Sequence, residues 1–247
     1  MKTIRRMAVL LAVLLLLTAC GKTKDEPSGS APAGSSDNPT ETVTLPMPSE
    51  SDAVLDTQPT VLDVADGRLV VLQSGAYNGL CPENGSDERV ENAAALLVAN
   101  VSDQACQFCT LNYQIDGEDA VFQISELPAG KAVWVLESGG KTTSADAVFT
   151  YVSDISVFRE QDSQWLPDVT AEGGDGKLTV SNQSDRDYAL ITVYYKLTYG
   201  ENTYLGGIAY RVTVDGLKSG ESKTLTAGHF YEGSCEIVGI YADGATD

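Results

Sequence analysis

Histidine occurs once in the 247 residues, at His229, and that scarcity removes most imidazole-based catalysis. Any triad or dyad would have to pass through Ala227-Gly228-His229-Phe230, and no G-x-S-x-G elbow accompanies it. Neither G-x-x-x-x-G-K-[ST] nor G-x-G-x-x-G occurs, so loops that cradle phosphates or dinucleotides are missing as well. Ser138-Gly139-Gly140-Lys141 has the S-x-x-K spacing of serine acyl-enzymes, but two glycines between strands predict a hairpin turn rather than the helix start that chemistry needs. Cations are few: 16 Lys and Arg stand against 35 Asp and Glu, a net charge of −19. A phosphate backbone requires a basic stripe, so nucleic acid is excluded as a partner. The longest apolar run, residues 7–17, is too short for a bilayer-spanning helix.

That run is instead the centre of an export signal. Lys2, Arg5 and Arg6 precede it, and Leu17-Thr18-Ala19-Cys20 closes it with small residues and a cysteine. The arrangement resembles a bacterial lipoprotein signal, and the resemblance implies removal of residues 1–19 and lipidation of Cys20, which would anchor the chain in a lipid bilayer. Loss of the three basic residues leaves 13 bases against 35 acids, a net −22. Residues 20–60 hold six of the nine prolines amid Ser, Thr, Gly, Asp and Glu, and are expected to form a disordered tether reaching about 35 Å.

Beyond the tether one pattern is written twice. LLVANVSD at residues 96–103 matches LTVSNQSD at 178–185, with Asn100 over Asn182, Ser102 over Ser184 and Tyr113 over Tyr195. LPAGK at 127–131 matches LKSGE at 217–221. Two related units are implied. Short alternating runs every 8–12 residues predict an all-β fold of two tandem antiparallel β-sandwich modules, at 61–160 and 177–247, joined by a Gly-rich linker at 161–176. Strands are expected at 68–73, 94–100 and 132–136, with a loop at 74–92. In the second unit Ile191, Val193, Tyr195 and Leu197 should face the core opposite Ile208, Tyr210, Val212 and Val214. Gly206-Gly207 within that partner strand predicts a bulge or a close backbone approach. The L-x-V-x-N-x-S run followed by Val193-Tyr194-Tyr195 resembles the immunoglobulin-like, FxLYD-type modules of bacterial surface lipoproteins. That resemblance implies an extracellular module.

Four cysteines remain after Cys20. Cys106 and Cys109 have C-x-x-C spacing without the helix start of a redox site; on a strand they should face opposite ways, which leaves Cys81 as the expected disulfide partner of one of them. No metal or cofactor is indicated: the acidic turns around Asp116, Glu118 and Asp119, and around Glu172 and Asp175, lack calcium-loop spacing. Eight of the eleven tyrosines lie between Tyr188 and Tyr241. Tyr194, with Lys196 on the same parity and Arg211 across the hairpin, is expected to form an exposed contact patch for an envelope protein or glycan. The expected function is that of a non-enzymatic binding or structural module, exported and lipid-anchored. A surface hydrolase using paired carboxylates, or an envelope assembly or signalling partner, is the alternative.

Overall fold

A computed structural model describes residues 53–84, 88–161 and 165–245, and these form an all-β structure without an α-helix. The expected signal segment, Cys20 and most of the expected tether lie outside the described residues. The strands are β1 (Ala53–Val64), β2 (Leu69–Leu80), β3 (Arg89–Asn100), β4 (Gln104–Ile115), β5 (Glu118–Leu127), β6 (Ala132–Leu136), β7 (Phe149–Glu160), β8 (Val169–Gly174), β9 (Lys177–Asn182), β10 (Tyr188–Thr198), β11 (Thr203–Leu217), β12 (Ser222–Thr226) and β13 (Cys235–Ala245). They form one seven-stranded sheet, β1-β2-β3-β6-β11-β10-β13, and two three-stranded sheets, β5-β4-β7 and β12-β9-β8.

Three boundaries differ from the sequence expectation. β1 takes up residues assigned to the end of the tether, pairing Gln58 with Ser74 and Pro59 with Gln73. β2 runs through the expected loop at 74–92, where Gly75, Ala76 and Tyr77 lie opposite Ala95, Ala94 and Ala93 of β3. β8 occupies the expected linker, pairing with β9 from Val169–Asn182 to Gly174–Lys177. In each case weak strand formers are held by a neighbour that supplies both the hydrogen-bond ladder and the apolar cover, which outweighs local propensity.

The repeat is visible atom by atom. Asn100 is buried: its Nδ2 donates to the carbonyls of Gln104 (2.8 Å), Leu127 (3.0 Å) and Pro128 (3.2 Å), while its Oδ1 accepts from Ser102 N and Oγ. Asn182 does the same for Arg186 O (2.7 Å), Leu217 O (3.4 Å) and Ser184. The short polar side chain replaces backbone partners in a turn that would otherwise bury unpaired carbonyls. Strand pairing repeats too: β3 lies between β2 and β6 as β9 lies between β8 and β12, and β4 lies between β5 and β7 as β10 lies between β11 and β13.

The two copies share a sheet. β6 pairs in parallel with the start of β11, Ala132 to Thr203, Val133 to Tyr204 and Trp134 to Leu205, and the described residues of both copies fall within one compact unit. Side chains alternate across that sheet, so it carries a core on each face. Leu96, Val98, Val133, Val135 and Tyr204 pack under β5-β4-β7. On the other face Ile191, Val193, Tyr195, Val214 and Ile240 pack under β12-β9-β8, and Ala95, Trp134, Leu136 and Leu205 continue that face past the joint.

Irregular pairing decides three side-chain directions. A register shift between Cys106 and Phe108 turns both Cys106 and Cys109 into the first core, so the expected opposite facing does not occur. Cys81 belongs to the cluster on the other face of the sheet, and no disulfide joins the described cysteines, so the expected Cys81 bridge is not present. The Gly206-Gly207 bulge is present. Gly206 has φ +90°, and a Cβ on Gly207 would stand 2.0 Å from the Gln123 carbonyl.

Candidate functional site

Where the outer edge of the first copy meets β10 and β13 of the second, a cleft of about 530 Å³ opens. Its first wall is Gln107 of β4, Glu126 of β5 and Arg159 of β7. The second wall is Tyr188, Thr192 and Tyr194 of β10 with Tyr241 and Ala242 of β13, and the rim is Leu166 and Arg186.

Glu126 anchors the polar floor. It is buried in the left-handed region at φ +51°, and its carboxylate pairs with Arg159. The Tyr241 hydroxyl donates to the same Oε2 at 3.2 Å, and the Arg159 guanidinium lies 4.2 Å above the Tyr241 ring. Tyr194 extends the aromatic wall, its ring centroid 5.7 Å from that of Tyr241. Burial raises the Glu126 pKa, and the charge and hydrogen bond of Arg159, with the charge of Lys196, oppose the rise. An ion pair removed from water in this way needs its remaining lone pairs satisfied, and the tyrosine supplies one of those bonds.

A second polar cluster lies below, at the end of the parallel joint. Lys196 is completely buried, and its Nζ donates to Gly206 O at 3.2 Å and Gly207 O at 2.6 Å. Glu83, on the 3₁₀ turn Pro82–Asn84, accepts with Oε1 from Leu136 N (2.7 Å) and Gly207 N (2.9 Å). Glu83 keeps some exposure as a residue, but its Oε2 has no access to solvent and no hydrogen-bond partner. Desolvation brings Lys196 down to about 7 against the attraction of Glu83, Glu126 and Cys106. Desolvation likewise lifts Glu83 to about 7, opposed by its two backbone hydrogen bonds and by Lys196.

Of the expected patch, Tyr194 lines the cleft and is half-buried rather than fully exposed. Arg211 is exposed and pairs in register with Tyr194 as drawn from sequence, although it does not line the cleft. Lys196 has to be corrected from exposed to buried. The pairing of β10 shifts register between Tyr194 and Tyr195 against β13 and between Tyr195 and Leu197 against β11, so the simple alternation that placed Lys196 outside ends one residue before it. Ile191, Val193, Tyr195 and Leu197 are all buried as expected.

Comparison with protein-family models, curated proteins and solved structures gave no match. What the site can do follows from its own geometry. Glu126, Arg159, Arg186 and Tyr241 went unnoticed in sequence because they come from both copies and meet only through the β6–β11 joint. The one available signal was that cations are so sparse in this chain that each invites the question of what it faces. Cys106 and Cys109 offer no nucleophile: Cys106 is buried and pushed up to about 12, chiefly by desolvation, and Cys109 is shifted the same way.

Proposed function

We propose that the protein is a lipid-anchored, non-enzymatic binding module of the bacterial cell envelope, built from immunoglobulin-like repeats and taking its ligand in the cleft at their junction. One observation carries this reading over the hydrolase alternative. Among the described residues lining the cleft, Glu126 is the single carboxylate, and it is committed to Arg159 and Tyr241. Carboxylate-based glycoside hydrolysis calls for two carboxyl groups flanking the bond to be cleaved. The aromatic and arginine lining is the composition that recurs at binding hot spots.

Two outcomes are expected. Mature protein incubated with purified cell-wall polysaccharide should retain it without releasing reducing ends, and Tyr194→Ala should weaken retention by about 1–2 kcal/mol. Release of reducing ends that stops in Glu126→Gln would replace this reading with the hydrolase. Anchoring is tested separately: Cys20→Ser should move the protein from the membrane fraction to the soluble fraction or leave an unprocessed precursor. Unchanged membrane partitioning would remove the lipid anchor from the proposal.

A further inference from the structure

Resting on the binding reading above, we infer that the junction cleft takes an acidic saccharide, one or two rings long and bearing a carboxylate. Size comes first. A cleft of about 530 Å³ falls in the usual range for small-ligand sites and is too small for a folded partner.

Charge comes next. In a chain whose mature form carries 13 bases and 35 acids, two arginines face one cleft with one carboxylate, and that carboxylate is already neutralised by Arg159. Among the lining residues the balance is therefore one positive charge, with Asp185 and Asp187 on either side of Arg186 outside the lining, and that balance favours an anion in the cleft over the strongly negative surface elsewhere. Arg186 is the cation that a ligand would meet at the rim. Its side chain is exposed, and its backbone is fixed by the Asn182–Ser184 turn through Arg186 N to Ser184 Oγ (3.2 Å) and Asn182 Nδ2 to Arg186 O (2.7 Å). Its guanidinium, carried at the rim on a fixed backbone, has the planar fork that pairs with a carboxylate.

The rest of the lining selects what carries the anion. Tyr194 offers a ring face for a flat C–H surface, the Tyr241 ring being covered by the Arg159 guanidinium, while Gln107 and Thr192 offer short polar groups suited to hydroxyls. An extended acidic peptide would instead need alternating apolar side-chain pockets and a free strand edge. Leu166 and Ala242 are the only aliphatic lining residues described, and Leu166 N already occupies the Ile240 carbonyl on the β13 edge at 3.0 Å. A nucleotide would bring more negative charge than one uncommitted arginine balances.

The test is a calorimetric or NMR titration of the mature protein with glucuronate and galacturonate, with glucose and galactose as uncharged counterparts and an Asp-containing dipeptide as the competing class. The uronates should bind about tenfold more tightly than the neutral sugars, the worth of one charge-assisted contact, and added salt should shrink the difference. Arg186→Gln should reduce that preference to about twofold or less while thermal unfolding stays unchanged, since only the exposed side chain is altered. Equal binding of acidic and neutral sugars, or binding of the dipeptide in place of the uronates, would overturn the inference while leaving the binding module intact. Absence of sugar and dipeptide binding, with cell-wall polysaccharide still retained in a Tyr194-dependent way, would also overturn it. Cleavage of the polysaccharide would count against the underlying reading instead.

Discussion

Lys196→Met is expected to cost the fold about 3–5 kcal/mol at neutral pH, measured by urea unfolding of the mature protein. The ammonium is fully buried, so its removal strands two acceptors, Gly206 O and Gly207 O, and leaves the Glu83 carboxylate without its counter-charge. The pH dependence gives the prediction a second readout. Lys196 titrates near 7 in the folded chain against 10.5 for an ordinary lysine, so between those values the folded state holds fewer protons and stability from this group rises with pH. Glu83 titrates near 7 against 4.5, so between 4.5 and 7 the folded state holds more protons and stability from this group falls as pH rises. The pair therefore contributes a stability minimum near neutrality. In Lys196→Met the alkaline limb should vanish and the acidic limb persist, with a smaller cost at pH 5 than at pH 7. Adding Glu83→Gln to the variant should recover part of the loss, because no buried charge is then left alone. A variant within about 1 kcal/mol of the parent at pH 7, or one that keeps the alkaline limb, would show that Lys196 is not held as described.

Asn100→Asp is the other substitution from which a large effect is expected, about 3 kcal/mol or more at neutral pH. The change is nearly isosteric but replaces a two-hydrogen donor by an acceptor facing three carbonyls, those of Gln104, Leu127 and Pro128. Asn182→Asp should cost less, since its counterpart set is Arg186 O at 2.7 Å and a long contact to Leu217 O at 3.4 Å. The order of the two is the informative part. Thermal unfolding that ranks Asn182→Asp as the more damaging, or finds Asn100→Asp neutral, would contradict the role assigned to these turns.

Those asparagines were also where the sequence spoke most clearly. A polar turn residue followed by Ser two positions later, between two alternating apolar runs, has few structural readings, and the same reading applied in both copies. The parity of Ile191 through Leu197 was equally plain, because one side of β10 is a continuous apolar row. Lys196 was opaque for a specific reason. Alternation assumes an unbroken ladder, and nothing local to Tyr195-Lys196-Leu197 announces that both neighbouring strands shift register there. The shift against β11 falls at Gly206-Gly207, ten residues away in that strand. β8 was opaque because Gly173 and Gly174 read as punctuation, whereas a Cβ on Gly173 would stand 2.1 Å from the Lys177 carbonyl, so glycine marks a tight hairpin rather than a gap. The cleft could not be read at all from either copy alone, since it exists only between them.

The joint that creates the cleft has one further consequence. β6 and β11 are not counterparts: the equivalent of β6 in the second copy is β12, and the equivalent of β11 in the first is β5. A contact between unlike edges does not use itself up, so the same join made between separate molecules would run head to tail into a ring or a fibre. The receiving end is plugged. Glu137 Oε1 accepts from the Val121 N–H of β5 at 3.1 Å, Ser138 N donates to the Val121 carbonyl at 2.8 Å, and Ser125 Oγ accepts from Ala209 N at 2.9 Å. With that edge engaged by the Glu137–Ser138 turn and by β11, β5 offers no open ladder there for a further copy to extend.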